Sequence, residues 1–117
     1  MPITNALASL AVRDLAASTR WYERILGPGT HPMSDVVEWH LEQGGGLQVY
    51  TGPERAGHGS CTLVVSDIDE IARQLHATAV APDAKPARGD HVDTIMIKDP
   101  DGNSIAFAMP KDASLAH

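Results

Sequence analysis

Asp99-Pro100-Asp101-Gly102-Asn103, followed by Ser104-Ile105-Ala106-Phe107-Ala108-Met109, reads as a tight turn that opens a final β-strand. Pro100 presets φ at the second turn position, the Asp99 carboxylate is placed to bond back to the turn backbone, and Gly102 suits a positive φ. Beyond the turn, Ile105, Phe107 and Met109 alternate with Ala106 and Ala108. That period of two marks a strand with one large apolar face and one face of small residues.

Working outward, the same pieces occur twice. Leu10, Val12, Asp14 and Leu15 reappear as Leu63, Val65, Asp67 and Ile68, each 53 residues further along. Each copy is an alternating strand, then an Asp that caps a helix, then apolar residues at helical spacing. In the first helix these are Leu15, Trp21, Tyr22, Ile25 and Leu26, stopped by Gly27-Pro28; in the second they are Ile68, Ile71, Ala72, Leu75 and Ala79, with Pro82 beyond the stop. Leu47-Gln48-Val49-Tyr50 matches Ile105-Ala106-Phe107-Ala108, each reached through a glycine turn, at an offset of 58, and the Pro- and Gly-rich residues 82–89 accommodate the difference. Each half therefore reads as a βαβββ module, the first over about residues 1–55 and the second over about 56–117 of one domain. A module of about 60 residues buries only about 60% of its unfolded surface, so the two are expected to pack on one another, within the chain or across a dimer.

Composition narrows the function classes. The chain has 117 residues, a hydrophobic fraction of 43% and a net charge of −6. Its nine Lys and Arg are scattered, which argues against nucleic acid as a partner. No apolar run approaches the roughly 20 residues of a membrane span. Met1-Pro2-Ile3-Thr4-Asn5 lacks the flanks of a signal peptide, and Cys61 is the sole cysteine, so the expected location is the reducing cytoplasm.

Val12-Arg13-Asp14-Leu15, Ser18, Trp21-Tyr22-Glu23 and Leu26-Gly27, together with the turn at 99–103, resemble the opening and closing motifs of the vicinal oxygen chelate superfamily. That group includes glyoxalase I, extradiol dioxygenases, and bleomycin and fosfomycin resistance proteins. The resemblance covers nearly the whole chain. It implies an α+β fold in which two βαβββ modules form an open, mostly antiparallel, eight-stranded cup with helices outside. It also implies four metal-ligand positions, which fall here at Leu7, Gln48, Ser60 and Ala106. Divalent ions want imidazole or carboxylate donors, whereas Leu7 and Ala106 have none and Ser60 is a weak one. No metal and no other cofactor is expected.

Strand parity assigns the remaining lining. Ala8, Leu10 and Val12 should pack under the first helix, and Cys61, Leu63 and Val65 under the second. The cavity side then carries Leu7, Ser9, Ala11, Gln48 and Tyr50 from one module, and Ser60, Thr62, Val64, Ala106 and Ala108 from the other. Trp39 and His40 are neighbours on a strand, so only one faces inward; Trp39 either stacks on a planar ligand or joins the hydrophobic layer. Trp21 and Tyr22 are expected in the core. His91, beside Asp90 and Asp93, is the loop histidine best placed for ligand contact, and a metal site built from Glu38, His40 and His91 is the alternative to a metal-free cup. His31, His58, His76 and the tail residue His117 carry no such pattern. Gly44-Gly45-Gly46 reads as a hairpin, and residues 53–59 suit an exposed linker between the modules, with Arg55 equally suited to the cavity rim.

These features point to a binder of a small organic molecule. The alternatives are a lyase, isomerase or dioxygenase-like enzyme with unusual metal ligands, and a ligand-free dimeric interaction module. Open cups leave sheet edges to cover, so a homodimer is expected.

Overall fold

The computed structural model describes residues 2–111, so His117 lies outside the described residues. The elements are β1 (Leu7–Val12), α1 (Leu15–Leu26), β2 (Thr30–Met33), β3 (Val36–His40), β4 (Gly46–Thr51), β5 (Ser60–Val64), α2 (Ile68–Ala77), β6 (Val92–Lys98) and β7 (Ser104–Pro110). This is an α+β chain with two small mixed sheets, ordered β1-β4-β3-β2 and β5-β7-β6. It divides into two compact units: the residues up to Gly59 with Asp99–Asn103, and Ser60–Lys98 with the residues from Ser104 onward. None of its described helices is long and apolar enough to cross a membrane.

The first unit follows from its caps and periodicity. Asp14 accepts a hydrogen bond from the Ala17 amide to start α1, and the Gly27 amide donates to the Glu23 carbonyl to end it. β1 pairs with β4 in parallel, with Ser9 opposite Gln48 and Ala11 opposite Tyr50. β3 pairs with β4 antiparallel, with Glu38 opposite Gln48 and Trp39 opposite Leu47. Leu10, Val12, Val37, Trp39, Leu47, Val49 and Tyr22 are buried in the core. As parity required, Leu10 and Val12 point into that core, while Ser9 lies exposed on the open face.

The Asp99–Asn103 turn is clustered with this first unit and supplies its most connected polar group. Asp99 Oδ1 accepts from the amides of Asp101 (3.0 Å) and Asn103 (2.9 Å), as the turn chemistry anticipates. Its other oxygen accepts from the Tyr22 hydroxyl at 2.7 Å and from Asn103 Nδ2 at 2.8 Å. Asn103 Nδ2 also donates to the Ala11 carbonyl at 2.9 Å, and Asn103 Oδ1 accepts from the Gly59 amide at 2.9 Å. Tyr22, Asp99 and Asn103 are all buried. β1 is an edge strand of its sheet, so the Ala11 carbonyl would otherwise be an unpaired group in a buried place.

The second unit repeats the plan with one strand fewer among the described residues. Asp67 caps α2 by accepting from the Asp69 and Glu70 amides, and β5 runs parallel to β7 with Thr62 opposite Ala106. With the offsets of 53 and 58 residues, that pair is the counterpart of Ser9 opposite Gln48. α2 ends at Ala77, short of Ala79, which takes a left-handed φ of 57°. The module expected to bear four strands has three, because the counterpart of β2 is a loop that touches β6 at one bridge, Ala87 to Thr94. Pro82 and Pro86 in that loop have no amide hydrogen to give a ladder.

Charge holds the loop instead. Asp93, on the buried side of β6, accepts from Arg88 at 2.9 Å and from the Gly89 amide at 3.2 Å, and lies 3.4 Å from Lys111. Arg88 also bridges to Asp69 on α2 at 2.6 Å. The Arg88 hydrogen bond holds the Asp93 carboxyl below its ordinary value, against the opposing effect of burial. His76 Nε2 lies 2.7 Å from the Ala84 carbonyl, a second tie between α2 and the loop.

Two predictions follow from these networks. Tyr22→Phe should cost about 1–2 kcal/mol and Asp99→Ala about 3 kcal/mol in urea unfolding, since the second leaves buried donors without an acceptor. Asp93 is a carboxyl whose folded value is depressed, so its contribution is present above its ordinary pKa of 3.8 and is lost as pH falls through the folded value. Asp93→Asn should therefore flatten the acid limb of the stability–pH curve, and Arg88→Ala should move the acid-unfolding midpoint to higher pH, both followed by circular dichroism.

Candidate functional site

In the first unit, α1 packs on β3 and β4, which leaves the opposite sheet face open. Register places three cross-strand rows on that face. Glu38, Gln48 and Ser9 form one, Val36, Tyr50 and Ala11 the second, and His40, Gly46 and Leu7 the third. Gln48 Nε2 donates to Ser9 Oγ at 2.6 Å, which orients the amide and leaves its oxygen available as an acceptor. Glu38 Oε2 lies 3.7 Å from His40 Nε2 on the exposed part of the face.

The choice between Trp39 and His40 is made by α1. Trp39 is 4% exposed, its indole N–H donates to the Gly27 carbonyl at 2.8 Å, and its ring centroid lies 5.8 Å from that of Tyr22. It therefore belongs to the hydrophobic layer, on the side away from Gln48. His40 stands on the open face.

Beside the Tyr50 row the chain makes a depression of about 390 Å³, lined by Ser9, Ala11, Tyr50, Glu54, Arg55, His58 and Gly59. A smaller one of about 240 Å³ adjoins it, lined by Tyr50, Gly52, Pro53, Glu54 and Arg55. The larger volume falls in the range of small-molecule sites, about 300–1,000 Å³. Its polar rim comes from a folded-back loop. The Arg55 amide donates to the Gly52 carbonyl at 3.0 Å, and the His58 amide donates to Arg55 at 3.4 Å, so two successive turns bring Glu54, Arg55 and His58 together. Gly57 has a φ of 87°, and a Cβ there would run into the Asp101 carbonyl, so only glycine lets the loop close this tightly. Buried Ala56 anchors it from below.

Residues 53–59 are thus more than the exposed linker that their composition implied. Their signal in the sequence was the clustering of three titratable residues within nine positions of Tyr50.

The second unit has its own open face, with α2 packed on β6 and β7 behind it. Met96, Ala106 and Thr62 form one row, Thr94, Ala108 and Val64 another, and Lys98, Ser104 and Ser60 a third. Val64 is 59% and Met96 70% exposed. His91 is exposed just before β6, and its carbonyl accepts from the Lys111 amide. Of the residues singled out in the sequence, Leu7, Ser9, Gln48 and Tyr50 share the face of the first unit. Ser60, Thr62, Ala106 and Ala108 share that of the second.

Neither unit supplies, at the positions singled out in its sequence, donors suited to a divalent ion. In the first unit Leu7 offers no donor atom and Gln48 only a neutral amide oxygen, and in the second Ala106 offers none and Ser60 only a neutral hydroxyl. Among the described residues no three His, Cys, Asp or Glu side chains are grouped to hold a metal.

Comparison with known proteins agrees with this architecture. The model of the family described as Glyoxalase/Bleomycin resistance protein/Dioxygenase superfamily matches residues 4–107. The structure of a glyoxalase/bleomycin resistance protein from Catenulispora acidiphila DSM 44928 is similar at 32% identity, with a TM-score of 0.75, covering 92% of this chain and 98% of that one. The bleomycin resistance determinant encoded on transposon Tn5 is similar in fold at 19% identity and a TM-score of 0.78, with coverage of 94% and 100%. TnmS3, an antibiotic binding protein from Streptomyces sp. CB03234, is similar in fold at 20% identity and a TM-score of 0.76, with coverage of 95% and 99%. No curated protein matches the chain.

Proposed function

The chain belongs to the glyoxalase/bleomycin resistance protein/dioxygenase superfamily, and from that premise we propose that it binds a small organic molecule without a metal ion. The observation that carries this reading is the depression beside Tyr50, where small and mildly polar strand residues meet a polar loop. Such a lining holds a planar or apolar body by shape and orients it with a few hydrogen bonds. Two neighbours in fold, described as an antibiotic binding protein and a bleomycin resistance determinant, support the same class of activity. The expected ligand-contacting residues are Leu7, Ser9, Gln48 and Tyr50 in the first unit, and Ser60, Thr62, His91, Ala106 and Ala108 in the second. Trp39 acts through the core.

A second reading, enzymatic, is favoured by Glu38 and His40. A carboxylate and an imidazole 3.7 Å apart on an open face are the groups that an acid–base step would use, with the distance between them closing or bridged by one water. The binding reading is preferred because neither group lines the depression. The proposal extends to a homodimer in the cytoplasm. Exposed Val64 and Met96 on the second open face support association with another copy.

Three measurements test these statements. A thermal-shift screen of planar organic compounds on metal-depleted protein should give hits that raise the apparent melting temperature. Tyr50→Phe with Gln48→Ala should weaken those hits severalfold, whereas unchanged affinity would remove the site from this face. Equilibrium dialysis against Zn²⁺ or Ni²⁺ should give well under one ion per chain, and stoichiometric uptake would favour the enzyme. Sedimentation should show a dimer at micromolar concentration, which Met96→Glu dissociates.

A further inference from the structure

Arg55 is placed differently from the other cations of the first unit. Arg13 is paired with Asp101 at 3.1 Å. Arg55 makes no side-chain hydrogen bond or ion pair among the described residues, yet it lines both depressions. Tyr50 and Glu54 share that position on the common wall. Glu54 and His58 also have no side-chain partner among the described residues, so Arg55 is not neutralised by its neighbour in sequence.

We propose that Arg55 is the specificity-determining residue of this site and that the ligand is a monoanionic aromatic acid, its ring lying along Tyr50 and Ala11 and its carboxylate received by the guanidinium. The inference rests on the binding reading given above and adds the charge of the ligand. A guanidinium presents a planar fork of N–H donors that matches a carboxylate in two parallel hydrogen bonds, which a point charge cannot do. The tight turns from Gly52 to His58, with Gly57 closing against the Asp101 carbonyl, hold the Arg55 backbone in place beside the strand floor. The floor itself is braced by Asn103, which binds both the Ala11 carbonyl and the Gly59 amide.

Glu54 sets the limit on ligand charge. Its carboxylate on the same wall repels a second anionic group and accepts a hydrogen bond from a hydroxyl or N–H adjacent to the first. The chain as a whole carries −6, so long-range attraction does not deliver an anion to this place. Recognition is therefore by contact at Arg55, within the screening length of about 8–10 Å.

The test compares 1-naphthoate with its neutral isostere 1-naphthamide on the full chain, by titration followed in amide NMR spectra. Wild-type protein should bind the carboxylate about tenfold tighter than the amide, with shifts at Ala11, Tyr50, Arg55 and Gly59. Arg55→Gln should bring that ratio to about one and Arg55→Lys should recover only part of it. Glu54→Gln should raise affinity for the carboxylate, and Arg73→Gln, an exposed cation on α2, should keep the wild-type ratio. Equal affinities for the two probes, with shifts still at Ala11 and Tyr50, would overturn the anion assignment and leave the binding site standing. Absence of shifts at those residues with either probe at millimolar concentration would overturn both.

Discussion

The Asp99 carboxylate organises the first unit. Four donors converge on its two oxygens: the Asp101 and Asn103 amides, the Asn103 side chain and the Tyr22 hydroxyl. A buried carboxylate is costly unless it is fully partnered, and here the partners come from a turn and a helix 77 residues away in sequence. The same turn, through Asn103, satisfies the edge of β1 at Ala11 and the loop at Gly59. One turn thus fixes the relation between α1, β1 and the loop that follows β4.

The candidate site inherits that order. Ala11 and Gly59, the two backbone partners of the Asn103 side chain, are also walls of the depression. Tyr50 stands opposite Ala11 because β1 and β4 run parallel in that register. The charged rim exists because two successive turns reverse the chain between Gly52 and His58. A rigid floor with a polar loop beside it is how a small sheet presents a pocket while its hydrophobic side stays under the helix.

The two units show how far one plan can diverge. Ser9 opposite Gln48 becomes Thr62 opposite Ala106, so a hydrogen-bonded polar pair on one open face is replaced by a hydroxyl and a methyl on the other. Where the first unit has β2, the second has a proline-bearing loop held by Arg88, Asp93 and Asp69. Ionic contacts there substitute for a ladder that Pro82 and Pro86 cannot supply.

Local chemistry was enough to read the helices, the strand faces and the closing turn. Asp14 and Asp67 are caps wherever they are met, alternation marks strands, and the turn at 99–103 needs Asp99, Pro100 and Gly102 in that order. The duplication, visible as matched residues 53 apart, carried the repeated module and the resemblance its α+β class, whereas the parallel pairs that make both sheets mixed, and the loss of one strand from the second module, came from the structure. What depended on tertiary structure was every pairing between distant residues. Whether Trp39 or His40 faced out was settled by where α1 lay, since neighbours on a strand are equivalent until one side is covered. The Tyr22 bond to Asp99 had no local signature, and the clustering of Glu54, Arg55 and His58 in sequence did not say that they would lie beside Ser9, because both arise only when a folded chain brings separated segments into contact.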